Sequence, residues 1–290
     1  MLRNHLEAGL DIDAKNIEAL NVSLSKVIEG RGDALDMIAA ARNIVPFTAA
    51  LCVVNRIDQP PIYLCDTYLD GAPKDAVQRY IKSTYLLNPL YNAFLAGLTP
   101  GLHRMIDLAP DNWQTFDDPH EAVLADKEEI GFRTRGWPEN LQELAIAVDL
   151  PNGMMGEMSL ARSSNLGGFE PQMVARLQPF YPLFATAFRQ LWARNSNSTS
   201  SNTLSNTAIL AERPAPLEDF AKDILSPREA EIVQLVLKGH SSLSISLTLS
   251  IALPTVKTHR KNAYAKLGIS SQQQLLNAFL QWQEVATRSK

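Results

Sequence analysis

The chain has 290 residues, 46% of them hydrophobic, and a formal net charge of -4, enough length and apolar content for two ordinary domains with a core each. Its two cysteines, Cys52 and Cys65, supply neither a disulfide framework nor a paired Cys-x-x-Cys zinc motif. No run of about 18 uncharged apolar residues offers a membrane span, and the N-terminus has no apolar core with a small-residue cleavage site, so a cytoplasmic protein without a membrane partner is expected.

In chain order, helical patterns over residues 14–29 and 33–42 precede two strand-like runs, "FTAALCVVNR" and "PIYLCDTY", which a turn with Asp58 and a proline pair joins into a hairpin. A helix is predicted over 74–96 with Gly97 as its stop, then "LHRMIDL" and a helical zone over 119–130. The strands "ELAIAVDL" and "MGEMSLAR" follow, split by "PNG", and then a long helix over 170–194. Such an order makes residues 1–194 an antiparallel sheet covered by helices, an α+β arrangement similar to GAF or PAS sensor domains or to the autoinducer-binding domain of LuxR proteins. A phosphoacceptor receiver is the alternative, but it needs parallel strands and an acidic pair after the first of them. Asn55 and Arg56 stand there instead.

Aromatic residues concentrate in the middle of this region, and Tyr63, Tyr80, Tyr85, Trp113 and Trp137 are candidate walls of a small-molecule pocket, beside Tyr91, Phe94 and Phe132. Ordinary core packing competes with that reading. The segment "YIKSTYLLNPLY" is faintly similar to a Tyr-and-Asp-Pro stretch of autoinducer domains; Asn88, a further ligand candidate, occupies the Asp position, which argues against an acyl-homoserine lactone. Asp117, Asp118, His120, Glu121 and Glu128 read as a capped acidic helix start and not as a metal cluster. With no phosphate loop and no nucleophile elbow, no catalytic residue, metal ligand or cofactor is expected.

Residues 195–216, "NSNSTSSNTLSNTAILAERPAP", exchange apolar periodicity for Ser, Asn and Thr, as a flexible tether does. The sign of the charge changes across it. Residues 225–290 carry eight Lys/Arg against three acidic groups, whereas residues 1–224 carry nineteen against twenty-eight.

The segment 217–290 reads as four short helices. "LSPREAEIVQLVLKG" opens on a capping box of Ser226 and Glu229 with Pro227 in the first turn, and Gly239 ends it. Ser241 caps a second helix that buries Ile245 and Leu249. A turn over 250–252 leads to "LPTVKTHRKNAYAKLGIS", where Val256, Ala263 and Leu267 fall within about 40 degrees of one another and form an apolar stripe. Lys257, Thr258, Lys261 and Asn262 point away from it, as a row of donors suited to base edges and phosphates. Arg260 and His259 flank the stripe.

These residues resemble the LuxR-type (NarL/FixJ-type) helix-turn-helix of bacterial transcription regulators over 225–283: Leu225 to Glu229, Gly239 with Ser241 and Ile245, then "TVKTHRKN" running into "KLGIS". The resemblance implies an all-α helix-turn-helix domain bound to double-stranded DNA, with Lys257, Thr258 and Lys261 nearest the bases; Thr255, Asn262, Ser241 and Lys266 are further candidate contacts, and Arg260 is one that either touches the DNA backbone or covers the core. It also implies a homodimer through the final helix, carrying Leu275, Leu276, Phe279 and Trp282, on a two-fold site. Ser244 and Ser246 replace the usual Glu and Ala, Ala252 replaces the usual capping Ser, and Ala263 replaces a larger aliphatic. The expected function is thus a transcription regulator whose N-terminal domain senses a small molecule of unidentified structure. The alternatives are a protein-interaction adaptor with a degenerate helix-turn-helix, or a response regulator with an atypical receiver.

Overall fold

The computed structural model describes residues 12–108, 141–198 and 214–288. In chain order the elements are α1 (Ala14–Ile28), α2 (Ala34–Arg42), β1 (Ala49–Arg56), β2 (Gln59–Asp66), α3 (Ala72–Lys82), α4 (Pro89–Leu95), β3 (Gly101–Arg104), α5 (Met105–Leu108), β4 (Leu141–Leu150), β5 (Met154–Ser163), α6 (Pro171–Leu177), α7 (Tyr181–Ser198), α8 (Pro227–Leu237), α9 (Ser242–Thr248), α10 (Leu253–Leu267) and α11 (Gln272–Arg288). They divide into one compact unit of Met1–Val77, Gly97–Met105 and Leu141–Leu210, and a second of Gln78–Ala96, Ile106–Asn140 and Ala211–Lys290. Among the described residues no helix is long and apolar enough to cross a membrane.

The first unit is built on a five-stranded sheet in the order β2-β1-β5-β4-β3, and every neighbouring pair in it is antiparallel. That pairing removes the receiver alternative, which requires parallel strands. Asp58 (φ 55) turns the first hairpin, and Asn152 (φ 62) with Gly153 (φ 68) turns the second. Left-handed backbone suits Asn, Asp and Gly there.

Strand alternation then sorts the side chains. Ala50, Cys52 and Val54 of β1, Leu144, Ile146 and Val148 of β4, and Met158 and Leu160 of β5 are buried in one core with Leu20 and Leu24 of α1, Met37 of α2, and Phe184 and Phe188 of α7. A fully buried aliphatic or aromatic side chain contributes roughly 1.5–3 kcal/mol. Gly156 lets α7 approach closely: a Cβ there would lie 2.5 Å from the Phe188 ring. Gly156→Ala is therefore expected to destabilise this unit by about 1–3 kcal/mol through overpacking, read from its denaturant midpoint.

Two expected helices are interrupted. The predicted helix over 74–96 is α3, a 3-10 turn at Thr84–Leu87 and α4. Asn88 breaks it, because its side chain accepts from the amides of Leu90 (2.7 Å) and Tyr91 (3.3 Å) and Pro89 begins the next turn. The predicted helix over 170–194 is likewise α6, a 3-10 turn at Gln178–Phe180 and α7, with Pro179 and Pro182 at the junction. Proline cannot donate to the preceding turn. The helical zone expected over 119–130 lies outside the described residues.

In the second unit α8 to α11 enclose Leu225, Ile232, Val233, Val236, Ile245, Val256, Ala263, Leu275 and Phe279. Ser226 and Glu229 form the expected capping box, and Gly239 (φ 91) follows the helix end. The unit begins earlier than its charge pattern implies, since Leu217 and Phe220 belong to the core and Ala215 exchanges two hydrogen bonds with the Gln283 side chain. The tether expected over 195–216 is thus shortened at both ends: Ala215 is fastened, and α7 runs on to Ser198. Its middle lies outside the described residues.

Candidate nucleic-acid interface

The helix α10 has no side-chain cap at Ala252, and Pro254 sits in its first turn. Its hold on the unit comes from packing instead. Val256 and Ala263 are wholly buried and Leu267 is packed against the same core. Tyr264 is buried to 9% exposure beside the small Ala263, and both belong to the core of this unit.

Lys257, Thr258, Lys261 and Asn262 are exposed on the other side, with Thr255. The Thr258 hydroxyl donates to the Pro254 carbonyl at 2.9 Å, which leaves its oxygen free to accept. Lys257, Arg260, Lys261, Tyr264, Ala265, Ile269 and Ser270 line a concavity of about 400 Å³. Cations around a concave surface attract phosphate oxygens, and a helix carrying them fits the width of a major groove.

The remaining candidates have structural duties. Arg260 is half-buried, donates to Ser242 Oγ at 3.3 Å and lies over the Tyr264 ring at 5.9 Å. Ser241 is buried and caps α9 by accepting from the Ser244 amide at 3.1 Å. Ser244, standing where a carboxylate is usual, instead pairs with His240 Nδ1 at 2.9 Å.

Lys266, expected in the row of DNA contacts, is held in an ion pair. Its ammonium donates to Glu229 Oε2 at 2.6 Å, the same oxygen that accepts from the Ser226 amide at 2.8 Å. It ties α10 to the α8 cap. The Lys266 contact first and the Ser226 amide second hold the Glu229 carboxyl down to about 2 from its ordinary 4.5. A carboxylate depressed in the fold stabilises it above the unfolded-state value, and that contribution is lost as pH falls through the folded one. Between pH 4.5 and 2 the wild-type thermal midpoint is expected to fall more steeply than that of Glu229→Gln. Ser226→Ala is expected to destabilise the helix by about 1 kcal/mol.

The residues expected on the dimer face divide by burial. Leu275 and Phe279 are wholly buried in the protomer's own core, and Phe279 meets Phe220 edge-on at 5.5 Å between centroids. Leu276 and Trp282 are half-buried, with Trp282 meeting Phe220 edge-on at 5.4 Å between centroids.

The sensor candidates divide between the two units. Tyr63 is half-buried and donates to Asp66 at 2.7 Å. Tyr80 and Tyr85 are buried, and Tyr85 packs edge-on against Tyr91 at 4.8 Å. Asn88 uses its side-chain oxygen as a helix cap. Trp113 and Trp137 lie outside the described residues, as do Asp117, Asp118, His120, Glu121 and Glu128. What the sequence reading missed is a buried polar pair in the sheet: Asn55 Nδ2 donates to Glu157 Oε2 at 2.6 Å, with both residues under 2% exposed. The signal was a carboxylate inside the apolar run "MMGEMSLA".

Residues 223–279 match the family described as bacterial regulatory proteins, luxR family. A monoamine regulon transcriptional regulator of Klebsiella aerogenes is 38% identical over 255 residues, 85% of this chain and 88% of that protein. The chain belongs to the LuxR family. A second member of similar sequence, the transcriptional regulatory protein MctR of Rhizobium johnstonii, is 44% identical over 64 residues, 22% of this chain and 28% of that protein. Among solved structures the ligand-binding domain of VqsR from Pseudomonas aeruginosa, 16% identical, superposes with a TM-score of 0.46 over 62% of this chain and 97% of that one, too distant to carry an argument. As a LuxR-family protein this chain is a DNA-binding transcriptional regulator.

Proposed function

We propose that this regulator reads double-stranded DNA with the exposed face of α10, Lys257, Thr258 and Lys261 lying nearest the bases and Thr255 and Asn262 beside them. The single observation that supports this is the division of α10 into a buried side, Val256 and Ala263, and an exposed side of cations and hydroxyls. In this reading the chain works in the cytoplasm as a homodimer on a two-fold site, using the outer side of α11 around Leu276 and Trp282. The N-terminal unit binds a small effector. In this reading the effector acts by binding two arrangements of the regulator unequally.

The adaptor alternative draws on Ser244, Ala252 and Ala263. None of the three removes an exposed donor, and Ser244 is paired with His240. A gel shift over the gene's own upstream region separates the readings: retarded DNA supports the regulator, and its absence at every salt concentration tried supports the adaptor.

A further inference from the structure

The sheet of the first unit has a second face, and it is polar where a face buried against protein is usually apolar. Opposite the core side, alternation sets Val53 and Asn55 of β1, Glu157, Ser159 and Ala161 of β5, and Glu143, Ala145 and Ala147 of β4. Ala147 and Val53 are the cross-strand partners of Glu157, Ala145 is the partner of Ser159, and Ala161 is the partner of Glu143. The three alanines are 0–1% exposed, so small residues floor a covered strip with a carboxylate toward each end.

Among the described residues the strip lacks a counter-charge. Asp66 is neutralised by Lys74, but among the described residues no cation pairs with Glu143 or Glu157. Asn55 is fully buried, and its Oδ1 has no hydrogen-bond partner although its amide nitrogen is bound to Glu157. The Ser159 hydroxyl approaches Glu143 without completing a bond of good geometry. The Tyr68 ring lies near enough to both glutamates for their charge to act on its phenol. Asn55 Oδ1 is an acceptor left without a partner, and each carboxyl becomes a charged acceptor once ionised, so the strip calls for a cationic donor. A divalent metal would need three or more protein donors, and no group of three His, Cys, Asp or Glu residues capable of holding one occurs among the described residues.

We propose that this polar face binds a small organic amine, whose ammonium group donates to Glu157 and to Asn55 Oδ1 and faces Glu143, with Tyr68 against its carbon skeleton. The assignment rests on the effector-sensing reading above and supplies its chemical class. An ammonium has three N–H donors, which suits acceptors set close together on neighbouring strands. Burial pushes Glu157 up to about 7, and burial together with the charge of Glu157 pushes Glu143 up to about 8. The face therefore holds protons near neutral pH, and a bound ammonium displaces them.

Calorimetric titration of the full chain with 2-phenylethylamine, n-hexylamine, 2-phenylethanol and 3-phenylpropionate tests this. At least one amine is expected to bind, at least ten-fold tighter than 2-phenylethanol, with proton release revealed by repeating the titration in buffers of different ionisation heat. Glu157→Gln and Glu143→Gln mimic the protonated carboxyls, so they are expected to fold, to erase the amine's advantage and to leave weak alcohol binding unchanged. Alcohol or carboxylate binding equal to that of the amines overturns the amine assignment while leaving effector sensing standing. Absence of binding by every amine overturns the assignment too, and a neutral or anionic molecule co-purifying with the protein would then show that sensing itself survives. Amine binding that both Gln variants retain in full overturns it as well.

Discussion

Alanine at both Lys257 and Lys261 is expected to lower affinity for a specific duplex by about 10- to 100-fold and to reduce the slope of log affinity against log salt by about one to two. Each lysine that contacts a phosphate releases roughly one counterion, and each good base contact contributes roughly 1–3 kcal/mol of discrimination. Both side chains are exposed, so the fold should be untouched: the thermal midpoint of the double variant is expected to equal that of the wild type. Fluorescence anisotropy over a salt series reads the affinity and the slope together. A reduced affinity with an unchanged slope would mean that the lysines act other than by meeting phosphates. Lys266→Ala should behave differently, losing stability through Glu229 before it loses DNA affinity.

Phe279→Ala is expected to remove about 3–5 kcal/mol from the second unit, the usual loss for an aromatic in a packed interior. Phe279 is fully buried and its ring meets those of Phe220 and Trp282. Since a domain is typically stable by only about 5–15 kcal/mol, such a loss leaves a large unfolded fraction under mild denaturant. Duplex affinity should fall in step, because α10 and α11 share this core. Denaturant unfolding followed by far-ultraviolet dichroism checks the magnitude. A residue whose role was only to join two protomers would instead change the dimer equilibrium and leave monomer unfolding where it was.

The second unit was the more legible in sequence because its signals are local. A capping box of Ser226 and Glu229, a stop at Gly239 and an apolar stripe on α10 each lie within a turn or two of chain, and each formed where the spacing put it. What the spacing could not reveal is which polar side chain another helix would claim. Lys266 went to Glu229 across 37 positions and Gln283 to Ala215 across 68. Nor does anything local announce that Leu217 and Phe220 return to pack with Leu275 and Phe279.

In the first unit the hairpins were legible from turn residues with left-handed backbone, Asp58 and Asn152. The apolar period of both long helices runs on through Asn88, Pro179 and Pro182, so each reads as one span where the chain makes two. Aromatic content points to Tyr63 in the first unit and to Tyr80 and Tyr85 in the second. The polar face with Asn55 and Glu157 has no local signature, since three strands distant in sequence must pair before those side chains meet.

The account stands most directly on where position 258 lies when DNA is bound. A photoreactive phenylalanine analogue in place of Thr258, in full-length protein mixed with a duplex enriched from a random pool by the wild type, should cross-link on illumination to a base within the enriched motif. Cross-links that fall only on flanking DNA, or none from a complex that still retains the duplex, would contradict the reading of α10 as the helix that meets the bases.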